Sequence, residues 1–153
     1  MSAGEKAIAR RVTDGPRAGW LQWMEPTPDT FLTLLGPIYS QPDGDARAIV
    51  ELDPRANHRN RLGSLHGGFL AAFADHAYFS AMVAIGRPAQ ASAVTVDLSM
   101  IYMAAGRADH VLRAEVDLLG ETGRLLFLRM TLVQDGKAIA ASHATLRKAP
   151  EAR

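Results

Sequence analysis

Two hydrophobic periodicities divide this chain. Between Gly67 and Ile85 it reads "GGFLAAFADHAYFSAMVAI". At 100° per residue, Leu70, Phe73, Ala74, Ala77, Ala81, Ala84 and Ile85 form one apolar stripe. The opposite side carries Ala72, Phe79, Met82 and Val83. The segment therefore predicts a long helix that is apolar all round, and such a helix is buried all round. Its own sheet accounts for one face, and a partner subunit is the economical cover for the other.

After Pro88 the period changes to two. In "SAVTVDLSMIYM", Val94, Val96, Leu98 and Met100 fall on one face, and Thr95, Asp97 and Ser99 on the other. In "DHVLRAEVDLLG", Leu112, Ala114, Val116 and Leu118 alternate with Arg113, Glu115 and Asp117. "RLLFLRMTLVQ" and "KAIAASHATLRK" follow, separated by Asp135–Gly136, the strongest hairpin signal in the chain. The last three strands are expected to form an antiparallel meander with the first long one. Ahead of the helix, "PIYSQ" and "DARAIVELDP" predict a hairpin across Asp43–Gly44, followed by a polar loop from Arg55 to Ser64.

Residues 1–36 read as a helical extension. A weak charged helix is broken at Gly15–Pro16, and a short one capped by Thr27 or Asp29 runs through Leu35 until Gly36–Pro37 stops it. The main domain is expected over 37–148, with 149–153 as a tail. Strands on both sides of one long helix indicate an α+β fold, the helix packed on one face of an antiparallel sheet.

Composition narrows the function classes. The 153 residues suffice for one domain with a substantial core. A net charge of +1, from 17 basic and 16 acidic residues with no block of either sign, gives no support to nucleic-acid or membrane-surface binding. With no cysteine, thiolate nucleophiles and Cys-based metal sites are excluded. The start lacks the apolar core of a secretory signal, so a cytoplasmic location is expected. The run from Gly67 to Ile85 is not read as a membrane span, since an acid at a bilayer centre costs about 2.5–3.5 kcal/mol.

Asp75 is the anomaly in the helix. A buried carboxylate is expensive unless paired, so it is either structurally satisfied or engaged in chemistry. His66 taken alone reads as a residue bonding the local backbone, and Gly67–Gly68 alone as a tight turn or a close packing contact. Together they suggest more. Gly67 lies in the first helical turn, where amide groups lack partners, and without a side chain it can approach a ligand carbonyl. That is an oxyanion hole in sequence form. Asp75 is then a candidate base or nucleophile, with Asn60 and Thr95 as neutral polar groups. Eight residues of helix separate Gly67 from Asp75, about 12 Å of rise. A base must lie about 3 Å from the proton it takes, or one water away. If both residues serve one substrate, two chains must bring them together.

The spacing of Asn60, Gly63, His66, Gly67 and Gly68, followed by Asp75, resembles the signature of hotdog-fold acyl-CoA thioesterases of the phenylacetic-acid-degradation (PaaI-like) type. "VTVDLSMIYMAA" is similar to the strand that follows the central helix in that family, and the resemblance runs from about Ile49 to Lys148. It implies a long helix wrapped by an antiparallel sheet, a homodimer or a tetramer of two dimers, and sites at the dimer interface. By position, Gly67 N–H and Asn60 would polarise a thioester carbonyl. Asp75 of the partner subunit would activate water or attack through an anhydride, Thr95 would hold the water, and His66 would orient the loop or contact substrate.

No cofactor is expected beyond the CoA carried by the substrate, and no metal. His66 and His76 are ten apart, outside the i, i+4 spacing of helical zinc sites. Gly68, Tyr78 and Phe79 are candidates to contact or line the acyl site. Arg59 and Arg61, and also Arg147, are candidates for the coenzyme phosphates. The rival readings are a hydratase or dehydratase on the same fold and a non-catalytic acyl-CoA binding protein.

Overall fold

The computed structural model describes residues 8–25 and 27–149. The expected hairpin is present as β3 (Ile38–Pro42) and β4 (Arg47–Leu52), with Gly44 at φ 108 in its turn. Helix α1 spans Gly67–Ala84. Four strands follow: β5 (Val94–Tyr102), β6 (Leu112–Glu121), β7 (Leu125–Gln134) and β8 (Lys137–Arg147). The β7–β8 turn has Asp135 at φ 49 and Gly136 at φ 73, the paired left-handed conformations that favour Asp-Gly there.

Inner-facing residues of the sheet bury against α1. Val50, Ala114 and Leu132 lie in one cross-strand row, and Val116 and Met130 in another, all of them buried. The helix presents Leu70, Phe73, Ala74, Ala77 and Ala81 to this layer, and it packs against β3 to β8. The three alanines keep that helix face nearly flat, so the helix seats closely on the sheet.

Two expectations change. The N-terminal extension is not helical in its described part. Ala9–Arg11 (β1) and Leu21–Trp23 (β2) pair antiparallel and extend the sheet beyond β3, while the expected second helix is a single 3-10 turn over Phe31–Leu34. Its N-cap is Thr30, without a side-chain cap bond, rather than Thr27 or Asp29. Helix propensity in a charged segment is a weak prior, and an available sheet edge overrides it. Arg17, in the β1–β2 loop, fastens the hairpin to the domain. It bonds Glu51 at 3.0 Å and Asp53 at 2.8 Å and lies over the Tyr39 ring.

The second change concerns strand order, which is β1-β2-β3-β4-β6-β7-β8-β5. The chain leaves α1, crosses to the far edge, and among the described residues β5 pairs with β8 alone, so β6 follows β4 in the sheet.

Candidate active site

Asp75 lies mid-helix and half-buried. Its Oδ1 accepts a hydrogen bond of 2.6 Å from Thr95 Oγ1 on β5. Simple alternation would turn Thr95 away from the helix together with Asp97 and Ser99. Instead the β5–β8 register shifts between Thr95 and Asp97, leaving Val96 as the extra residue of a bulge. Thr95 then pairs with buried Leu146, Leu98 with buried Ala144 and Met100 with buried Ser142. The bulge changes the parity of the strand and turns the Thr95 hydroxyl toward Asp75.

At the helix start, His66 is the N-cap and its Nδ1 accepts from Gly68 N–H at 2.9 Å. His66 N–H donates to His58 O at 2.8 Å, and His66 O accepts from Leu70 N–H at 3.0 Å. Gly67 N–H has no acceptor among the described residues, as the first amide of a helix has none inside the helix. Neither glycine has a left-handed φ. At Gly68 a Cβ would stand 3.0 Å from His66 Nδ1, so the imidazole would have to give by a few tenths of an ångström. At Gly67 a Cβ would stand 3.4 Å from Tyr102 Cζ, and Tyr102 Oη donates to Gly67 O at 2.9 Å.

The other candidates divide. Asn60 is occupied by its own loop: Oδ1 accepts from Leu62 N–H at 2.9 Å and Nδ2 donates to Ser64 Oγ at 3.0 Å, which leaves Nδ2 one further hydrogen. Arg59 is exposed and bonds Ala56 O; Arg61 is exposed on the same loop. Tyr78 is fully buried against the sheet, with its hydroxyl on Ser142 Oγ at 3.0 Å, so it belongs to the core and lines no open groove. Burial pushes that phenol up to about 12. Phe79 is half-buried and packs on the core. His76, next to Asp75, points to the opposite flank of the sheet. It meets Trp23 of β2 edge-to-face at 4.4 Å, and its enclosed Nε2 has no hydrogen-bond partner among the described residues. Burial pushes that imidazole down to about 4.

Beside the helix start lies an apolar pocket of about 480 Å³, bounded by Phe31, Leu34, Phe69, Ala72, His66 and Gly68. A basic cleft of about 570 Å³ holds Arg124, Arg147 and Lys148 next to Val94. Among the described residues, no three His, Asp or Glu side chains cluster as a metal site, and no helix is long and apolar enough to cross a membrane.

The Thioesterase superfamily profile matches residues 62–141, which covers the glycine turn, α1 and most of the strands after it. The human protein "Acyl-coenzyme A thioesterase 13" is 30% identical over 117 residues, 75% of this chain and 82% of that protein. The chain belongs to the thioesterase superfamily. Among solved structures, zebra fish thioesterase superfamily member 2 is 25% identical with a TM-score of 0.68, covering 80% of this chain and 90% of that one. A variant of the phenylacetic acid degradation protein PaaI from Thermus thermophilus is 28% identical with a TM-score of 0.66, covering 79% of this chain and 100% of that one. The architecture is the hotdog fold, one long helix against a large antiparallel sheet.

In this superfamily member, sequence reasoning singled out Asp75, Thr95, His66 and Gly67, and the structure gathers them in two clusters. Asp75 with Thr95 forms one, and His66 with Gly67 and Gly68 the other; unbroken α1 holds Asp75 and Gly67 eight residues apart. Tyr102 went unnoticed. The only signal for it was an aromatic residue near the end of "SMIYM".

Proposed function

We propose that the protein hydrolyses an acyl-CoA thioester to a free acid and CoA, in a site shared by two chains. The observation that carries this reading is the 2.6 Å bond from Thr95 to Asp75. With Oδ1 held by the hydroxyl, Oδ2 is oriented to take a proton from water. The water oxygen attacks the thioester carbon and Asp75 accepts its proton. The developing oxyanion is received by Gly67 N–H at the positive end of α1, with Asn60 Nδ2 as a second donor. As the tetrahedral intermediate collapses, the C–S bond breaks and Asp75 returns the proton to sulfur.

Strand β5 supports the shared site. Among the described residues it is one of the two edges of the sheet, nine residues long, and it exposes Val94, Val96, Ile101 and Tyr102. A long apolar edge is a template for another strand. Two copies of β5 running antiparallel about an axis between Leu98 and Ser99 would set Thr95 of one chain opposite Tyr102 of the other. Thr95 holds Asp75 and Tyr102 holds Gly67, so the pairing closes the gap of about 12 Å that the helix imposes within one chain. The apolar pocket beside Gly68 would take the acyl group. The basic cleft beside Val94 would take the coenzyme phosphates.

The test is free-thiol release from a panel of saturated acyl-CoAs by wild type, Asp75→Asn and Gly67→Pro. Proline suits position 67: it is the first helical residue, and His66 at φ -67, ψ 134 has the conformation favoured before proline. The change deletes the N–H and is expected to lower kcat by about 10²–10³. Each variant alone should be inactive, and re-associated mixtures of the two should regain activity, since a mixed dimer contains one intact site. Assembly without recovery would refute the shared site. If wild type binds every acyl-CoA and cleaves none, the hydrolytic reading fails in favour of a binding protein.

A further inference from the structure

We infer that Tyr102 is a positioning residue that aims the Gly67 amide at the thioester carbonyl; the inference rests on the hydrolytic reading above. The Gly67–Gly68 peptide unit is held at both ends by side chains. Its carbonyl accepts from Tyr102 Oη at 2.9 Å, and its N–H donates to His66 Nδ1 at 2.9 Å. The preceding unit, His66–Gly67, is held only through its carbonyl, which accepts from Leu70 N–H at 3.0 Å. Among the described residues, the amides of His66, Gly68 and Leu70 are taken by His58 O, His66 Nδ1 and His66 O, and Gly67 N–H has no acceptor.

This arrangement narrows the donors of the first turn. The His66 imidazole consumes the Gly68 amide, so Gly68 N–H is removed from the set that can meet a ligand. The Tyr102 hydroxyl ties the first turn of α1 to the end of β5 through Gly67 O, and its ring lies where a Cβ on Gly67 would be 3.4 Å from Cζ. Gly67 N–H belongs to the preceding peptide unit and moves with the first turn as a whole, so a turn released from the end of β5 would carry that N–H away from its present place. Electrostatic stabilisation of an oxyanion depends on donors already placed where charge develops, so a first turn free to shift would weaken it. Tyr102 is also the last residue of β5, the strand whose other end carries Thr95. One strand thus holds both half-sites of its own chain, and the register of β5 sets the direction of both Asp75 and Gly67.

The experiment uses the full chain, with steady-state kinetics on a saturated acyl-CoA. A second readout is the infrared carbonyl band of a bound acyl-CoA ketone analogue, in which CH2 replaces the thioester sulfur. In wild type the band should fall below its free frequency. Tyr102→Phe keeps the ring and removes the hydroxyl. It should lower kcat about tenfold, a fraction of what deleting an oxyanion donor outright costs, with KM changed less than twofold and the band shifted back toward the free value. A purely structural role would lower stability yet leave the band of the saturated complex where it was, and that result would overturn the inference. So would wild-type kcat in Tyr102→Phe. An unshifted band in wild type itself would instead strike at the oxyanion role of Gly67, and the inference would fall with it. If Tyr102→Phe does not fold, Tyr102→Gln, which retains a donor, must outperform Tyr102→Leu, which does not. Equal rates for that pair would refute the hydroxyl's role.

Discussion

The buried imidazole of His76 makes stability depend on pH in a defined window. It sits edge-to-face on Trp23, its Nε2 is enclosed without a partner among the described residues, and burial lowers its pKa from 6.5 to about 4. The folded chain therefore keeps His76 neutral at a pH where the unfolded chain protonates it. Between those two values the unfolded state binds more protons, so stability rises with pH across the window and falls on acidification. Each tenfold change in proton affinity is worth about 1.4 kcal/mol, which makes the full effect about 3 kcal/mol. About 2 kcal/mol of it is lost between pH 7 and pH 5, and most of the rest by pH 4. The comparison is wild type against His76→Phe, which keeps an aromatic ring beside Trp23 and cannot titrate. Urea unfolding followed by tryptophan fluorescence at pH 7, 6, 5 and 4 gives the difference between the two proteins at each pH. Arg17 holds the Asp53 carboxyl below its ordinary pKa, and Lys148 and Arg87 do the same to Glu121; both acids titrate alike in the two proteins and cancel in the difference. A difference between wild type and variant that stays constant from pH 7 to pH 4 would refute the reasoning.

Thr95→Val removes the hydroxyl on Asp75 with little change in shape. It should lower kcat by about 10- to 100-fold with KM nearly unchanged, as loss of a charge-assisted hydrogen bond implies, while Thr95→Ser retains activity. A Val variant with wild-type kcat would show that the bond is incidental. Arg17→Ala should destabilise the protein by about 1–3 kcal/mol, read as a lower urea midpoint, because buried Glu51 keeps only Arg113 as a partner. The Asp53 part of that effect has a sign. Its depressed pKa contributes stability above the unfolded carboxylate value and loses it as pH falls through the folded one, so the deficit should shrink in acid. An unchanged midpoint would mean that the β1–β2 hairpin is held by its strand pairing alone.

Much of this protein follows from local pattern. The helix from Gly67, the four strands after it and the Asp135–Gly136 turn are set by periodicity and turn chemistry, which act over a few residues. The same holds for the suspicion attached to Asp75, because an acid among apolar neighbours is conspicuous without any coordinates. The distance between Gly67 and Asp75 is also a property of the sequence, once the segment is helical.

Tertiary structure decided what pairs with what. Nothing local says that β5 should cross to the far edge and pair with β8, or that residues 9–23 should extend the sheet as a hairpin; strand partners are chosen by contacts between distant segments. The bulge at Val96 is the sharpest case. Alternation of side chains reports which face each residue occupies only while the register is unbroken, and one extra residue reverses the parity without changing composition. It turned Thr95 from an outward-facing strand residue into the partner of Asp75. Tyr102 was hidden for the same reason: its contact with Gly67 joins residues far apart in the chain, at the place where the end of a strand meets the beginning of a helix.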